Sequence, residues 1–170
     1  MKNKLFNEAQ IRVRVAELGQ EITDHYRGES LVMICVLKGA FVFFADLVRQ
    51  VKCDPYLDFV RLSSYANDTS RGEKMIFNKD IEVDVKGKHV LIVDDIVDTG
   101  YSVEYLTNIM KARNPKSVAT CVLVDKTERR EVDVEQVNFV GFRIESGFIV
   151  GYGIDYAEKY RSLSSIFEYE

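Results

Sequence analysis

The sequence predicts a single-domain α/β fold built on a parallel sheet with flanking helices, and three observations carry that expectation. A chain of 170 residues has the length of one domain, and a chain of that size buries roughly 70% of the surface its unfolded form exposes. Short, continuous apolar runs such as Leu31 to Leu37 have the length of strands covered on both faces. These runs alternate with segments of helical periodicity, the pattern of parallel strands joined by crossover helices.

Each element follows from its residues. Asn7 to Gln10 reads as a capping box, with Phe6 and Ile11 placed as a hydrophobic staple. Ile11, Val15, Leu18 and Ile22 then recur at helical spacing. Leu31 to Leu37 is a buried strand, Lys38 and Gly39 a turn, and Phe41 to Val51 a helix. Tyr56 to Leu62 reads as a third strand. Ser63 to Lys74 holds only Tyr65 and Ala66 as apolar residues, so a mobile loop is expected there. His89 to Val93 is a further buried strand, and Val103 to Arg113 a helix stopped by Asn114 and Pro115. Ser117 to Val124 is another strand. Asn138 to Ile144 and Phe148 to Ile154, separated by Glu145, Ser146 and Gly147, are expected to form a hairpin beside the main sheet. The pattern shows no repeat and no internal domain boundary.

Composition narrows the function. The chain is 46% hydrophobic and 29% charged, ordinary values for a globular protein. Its apolar runs stop well short of the ~20 residues of a membrane span. Met1 to Lys4 leads into polar, helix-like sequence without the pattern of a secretory signal, so a cytoplasmic location is expected. Cys35, Cys53 and Cys121 are an odd set without a close pair, which implies reduced thiols. His25 and His89 lack zinc-type spacing. A net charge of −4 argues against nucleic acid as a partner and requires any anionic ligand to be held locally.

The segment from Val93 to Ser102 supplies such a place. A buried strand runs into Asp94 and Asp95, then Asp98, Thr99 and Gly100, and a helix begins near Ser102. Ligands of open parallel sheets bind outside the carboxyl ends of the strands, where free amides at a helix start complement a phosphate. Gly100 allows close backbone approach, the Tyr101 amide can add to the cradle, and Thr99 and Ser102 contribute hydroxyl donors. Asp94 and Asp95 would repel a phosphate; they suit the hydroxyls of a diol and a divalent metal. A phosphate beside a diol describes a ribose 5-phosphate. Asp98, a third carboxylate in one loop, is a candidate general base. Acidic residues after a strand are usually only solvated. The full pattern Asp-Asp-x-x-Asp-Thr-Gly, however, arises by chance in fewer than about one in a thousand chains of this length.

Leu91 to Ser102 resembles the phosphoribosyl-diphosphate motif of type I phosphoribosyltransferases. Val36 to Ala40, Ser64 and Tyr65, Asp125 to Thr127 with Arg129 and Arg130, and Phe148 to Tyr156 resemble the remaining signatures of the hypoxanthine-guanine branch. The likeness covers nearly the whole chain. It implies the type I phosphoribosyltransferase fold, with a lid over about residues 63–75 and a small hood formed by the terminal segments, its purine-binding elements within about 126–170. It further implies a cis peptide at Leu37–Lys38, a pyrophosphate loop of Lys38 and Gly39, and pyrophosphate or supporting contacts from Arg130 and Arg161. Lys126 would donate to the purine 6-oxo group, Phe148 would stack on the base and the Ile149 backbone would read its 2-position. Asp155 would lie near that position and near a metal, and Tyr65 would belong to the lid. Ala66 departs from the glycine seen in many bacterial relatives, which puts the hinge in question.

The implied reaction joins hypoxanthine, guanine or xanthine to the anomeric carbon of phosphoribosyl diphosphate and releases pyrophosphate. Mg2+ is the implied cofactor, with Asp94, Asp95 and Asp155 as its candidate ligands, and a homodimer or homotetramer the implied assembly. Two other classes share part of the pattern. One is a regulator on the same fold that senses the sugar phosphate, against which stand the acidic balance and the presence of Tyr65, Asp98 and Lys126. The other is a phospho-acceptor signalling domain, in which the acidic pair ends an early strand and a separate aspartate accepts the phosphate. Here all three crowd one loop.

Overall fold

The computed structural model describes residues 3–65, 74–133 and 137–169. Strand β1 (Lys4–Phe6) leads into helix α1 (Glu8–His25). The Asn7 side chain accepts from the Gln10 N–H while the Gln10 side chain accepts from the Asn7 N–H, so the expected capping box is formed. Ile11, Val15, Leu18 and Ile22 are all buried, as their spacing predicts. Strand β2 (Leu31–Leu37) and helix α2 (Phe41–Gln50) follow, then the antiparallel pair β3 (Tyr56–Tyr65) and β4 (Lys74–Lys79). Strand β5 (His89–Val97), helix α3 (Tyr101–Lys111) and strand β6 (Ser117–Lys126) form the next crossover unit. Strands β7 (Val137–Ile144), β8 (Ile149–Val150) and β9 (Ile166–Glu168) complete the chain.

The main sheet has the order β4-β3-β2-β5-β6-β7, parallel except for the β3–β4 pair. Its continuous apolar strands serve two cores. Met33, Cys35, Leu91, Val93, Cys121 and Leu123 face α1 and α2, while Val32, Ile34, Val90 and Ile92 face Leu106 and Met110 of α3. Each buried aliphatic side chain contributes about 1.5–3 kcal/mol. The free thiols of Cys35 and Cys121 lie within this sheet, and burial pushes that of Cys35 up to about 12.

Two expectations need correction. β7 joins the main sheet as a parallel edge beside β6, and β8 leaves it to form a separate three-stranded sheet of order β1-β9-β8, so there is no hairpin. Burial of Val150 and Ile149 against the hood, with Ile166, outweighs a local turn at Gly147. The strand expected to end at Leu62 runs to Tyr65, because Ser63 and Ser64 pair across to Ile76 and Met75. Ala66 and most of the expected 63–75 lid lie outside the described residues, as does the Tyr65 side chain. The hood sheet joins the two chain ends, with Lys4 opposite Phe167 and Phe6 stacked on Phe142 at 4.0 Å.

Candidate active site

Sheet topology selects one crevice. The chain leaves β2 through α2 on one face of the sheet and leaves β5 through α3 on the other, so adjacent strands send their connections to opposite sides. Such a switch point opens a crevice at the carboxyl ends of the strands. The crevice also has room, because β2 pairs with β5 only as far as Val93, while β5 continues beside β6 to Val97. Asp94 and Asp95 therefore project from the free stretch of β5 rather than from a loop after it. A cleft of 250 Å3 lies there, lined by Asp94, Asp95 and Ser102 together with Val36, Leu62 and Met75.

The two carboxylates are costly to charge. Asp94 is 8% exposed; burial first and the neighbouring Asp95 second hold its carboxyl well above the usual range. Burial also raises Asp95, against the pull of its hydrogen bonds and of Arg161. Neither takes part in a salt bridge among the described residues. The Lys38–Gly39 turn presses against this pair: a Cβ on Gly39 would stand 1.9 Å from Asp95 Oδ2, so only glycine fits. The peptide bond between Leu37 and Lys38 is cis.

Helix α3 starts at Tyr101, two residues before the Val103 at which its periodicity begins. Gly100 precedes it at φ 98°, with no side chain capping the first amides. The N–H groups at the start of a helix lack intrahelical partners, so those of Tyr101 and Ser102 form a cradle for an anion. The Thr99 carbonyl accepts from the N–H groups of Glu131 and Val132, which pins the loop, and the Tyr101 side chain is exposed.

Asp98 lies between this cradle and β6. Its Oδ2 is 3.4 Å from Arg129 Nη1, whereas Oδ1 is buried without a hydrogen-bond partner among the described residues. Lys126, at the end of β6, is 8% exposed, and burial holds its ammonium below the usual lysine range although Asp98 opposes this. Arg130 braces the loop: its Nε donates to the Asp98 carbonyl at 3.2 Å, and its Nη2 to Asp125 and the Lys126 carbonyl. These bonds give Arg130 the supporting role expected as one of its two alternatives, and they supply the cation that the buried Asp125 needs.

The hood supplies an aromatic wall. Phe148, 48% exposed, meets Tyr156 edge-on at 5.6 Å and Tyr169 at 6.0 Å. Ile149 beside it is buried and pairs with Glu168. Gly153, at φ 100°, backs onto the Lys38–Gly39 turn, where a Cβ would lie 2.3 Å from the Gly39 carbonyl oxygen. Asp155 is not grouped with Asp94 and Asp95. Its Oδ1 faces Arg161 Nη2 at 2.9 Å and its Oδ2 accepts from the Glu158 N–H, so both oxygens serve the turn. No group of three or more acidic, His or Cys side chains is arranged as a metal cage among the described residues. The sequence reading missed Tyr169 and Glu158. Tyr169 carries no local signal, since a long-range bond from its N–H to the Phe148 carbonyl places it. Glu158 was legible only as the middle of Asp155-x-x-Glu158-x-x-Arg161.

A helix start with free amides, a carboxylate pair and a glycine turn meet at one switch point, an arrangement suited to a phosphorylated sugar. Residues 3–157 match the family model of the phosphoribosyl transferase domain. A hypoxanthine phosphoribosyltransferase of Salmonella typhimurium is 48% identical over 92% of this chain and 88% of its own. A hypoxanthine-guanine phosphoribosyltransferase of Mycobacterium avium is 41% identical over 98% and 84%. A crystal structure of a hypoxanthine-guanine phosphoribosyltransferase from Bacillus anthracis, 45% identical, superposes with a TM-score of 0.95 over 100% of this chain and 99% of that one. The chain belongs to the phosphoribosyl transferase domain family and, within it, to the hypoxanthine-guanine phosphoribosyltransferases.

Proposed function

We propose that the chain transfers the 5-phosphoribosyl group of phosphoribosyl diphosphate to hypoxanthine or guanine in purine salvage, with Asp98 as general base. The observation that carries the base role is the buried, unpartnered Oδ1 of Asp98 beside Lys126 and the α3 amides. The 5-phosphate rests on the amides of Tyr101 and Ser102 with the hydroxyls of Thr99 and Ser102. The ribose hydroxyls donate to Asp94 and Asp95, and the diphosphate lies against the Lys38–Gly39 turn. Lys126 donates to the purine 6-oxo group, and Phe148 stacks on the base.

Purine N9 then forms its bond to the anomeric carbon as the bond from that carbon to the diphosphate oxygen breaks, and the electron pair leaves with the diphosphate. Asp98 Oδ1 takes the proton from purine N7, which keeps the nucleotide neutral at the base. Mg2+ fits this donor set: Asp94 and Asp95 offer hard carboxylate oxygens that take part in no salt bridge among the described residues, and Mg2+ ordinarily combines one or two carboxylates with substrate oxygens and water. When bound, it neutralises charge developing on the leaving diphosphate. No helix among the described residues is long and apolar enough to cross a membrane, and with three free thiols this supports a cytoplasmic enzyme.

A panel of four purines with Mg2+ and phosphoribosyl diphosphate tests the reading. Hypoxanthine should yield inosine monophosphate, and adenine should be slower by up to roughly 10⁴-fold, because its amino group opposes the Lys126 donor. Xanthine differs at the 2-position and reports on the surroundings of Ile149 and Asp155. Comparable rates with adenine would overturn the role of Lys126, and no product with any base would overturn the function.

A further inference from the structure

Charged side chains gather where the Lys38–Gly39 turn meets the segment after β8. Glu158 Oε2 accepts from Lys38 Nζ at 2.8 Å, and Glu158 Oε1 accepts from Arg161 Nη2 at 3.3 Å. One carboxylate therefore spans two cations drawn from distant parts of the chain. The turn that presents it has an uncommon shape. Ala157, Glu158 and Tyr160 have φ of 51°, 63° and 74°, left-handed values that residues other than glycine adopt at a cost. The turn does not need the Glu158 carboxylate, because its backbone is held by the Asp155 side chain at the Glu158 N–H, and Arg161 is held by Asp155 and the Gly153 carbonyl.

Building on the reading that this turn receives the diphosphate, we propose that Glu158 sets the affinity of the site for that group. Its carboxylate holds Lys38 and Arg161, the cations that an anionic leaving group would meet at this turn, and arriving diphosphate displaces it. The displaced partner is Glu158 rather than Asp155. The Glu158 side chain is 64% exposed and passes readily into water, while both oxygens of Asp155 are engaged and its side chain is 28% exposed. Diphosphate brings more charge and more acceptor oxygens than one carboxylate, so it wins the exchange, and the competition weakens its net binding and favours its release. Exposed ion pairs are individually weak, so the two together lower diphosphate affinity by roughly twofold to tenfold.

The test is calorimetric titration of inorganic pyrophosphate with Mg2+ into the wild-type protein, Glu158→Gln, Lys38→Met and the double variant. Glu158→Gln should bind pyrophosphate roughly twofold to tenfold more tightly, and Lys38→Met should bind it more weakly. The double variant should lose most of the gain. Unchanged or weaker binding by Glu158→Gln, with Lys38→Met still impaired, overturns the role of Glu158 and leaves the turn as the diphosphate site. Undiminished binding by Lys38→Met overturns the assignment of the turn itself.

Discussion

Asp98 and Asp94 lie within one short segment yet meet opposite surroundings. Asp94 is buried with Asp95 half-buried beside it; desolvation disfavours charge on both, and Asp95 adds to this at Asp94, so the pair suits hydroxyls and a cation rather than a phosphate. Asp98 keeps one oxygen on Arg129 and has no partner for the other among the described residues, which suits the base role proposed for it. Asparagine preserves the size of Asp98 but cannot hold a proton. Asp98→Asn should therefore fold and bind nucleotide normally while losing about 10²–10⁴-fold in turnover. Steady-state kinetics beside nucleotide titration check this, and wild-type turnover would remove Asp98 from the base role. Burial depresses the Lys126 ammonium, and no ion pair fixes it among the described residues, which suits the contact with the purine 6-oxo group proposed for it.

Elements meet through close approaches that local patterns do not display. Helix α1 crosses α2 at Gly19, where a Cβ would stand 2.3 Å from Gln50 Cβ, and Thr23 joins the helices by donating to the Gly19 carbonyl and accepting from the Lys52 N–H. Strand β3 is tied to the segment before β5 by Asp58, whose buried carboxylate accepts from the N–H groups of Phe59, Glu82 and Val83. Burial alone would raise the Asp58 carboxyl, but these three amides and Lys79 overcome it and hold it below the usual range. A carboxyl depressed on folding adds stability above its unfolded value of about 3.9 and loses that contribution as pH falls through the folded value. Asp58→Asn should cost about 1–3 kcal/mol near neutrality. In urea titrations across pH, the gap between variant and wild type should close in acid; a constant gap would separate the loss from the charge.

The proposed function divides the whole molecule between the six-stranded sheet, which would offer the sugar-phosphate site, and the three-stranded hood sheet, which would offer the base site. The hood rests on the α1–α2 core through Ile166, which is fully buried with Ile149, Tyr152 and Ile154. Ile166→Ala should cost about 2–5 kcal/mol of stability. It should also raise the KM for the purine more than that for phosphoribosyl diphosphate, because the latter binds mainly to the sheet. Equal increases would show that the two halves do not separate. The same division decides what could be read before the structure. Strands β2, β3, β5 and β6, the helices and the segment from Val93 to Ser102 were legible because each rests on a contiguous pattern, an apolar run, a helical spacing or a strand running into a helix start, whereas β4 was not read as a strand and β7 was placed in a hairpin. The hood strands β1, β8 and β9 are two or three residues long, too short to display a period. The continuation of β5 through Asp94 and Asp95 depends on its pairing with β6. By itself the sequence determined a parallel α/β sheet carrying a ribose-phosphate loop. Only tertiary structure decided that Arg130 braces Asp98, that Asp155 serves its own turn, and that Glu158 meets Lys38 across a separation of 120 residues. Those contacts depend on which strands lie side by side, and pairing order is set by burial of the whole chain rather than by neighbouring residues.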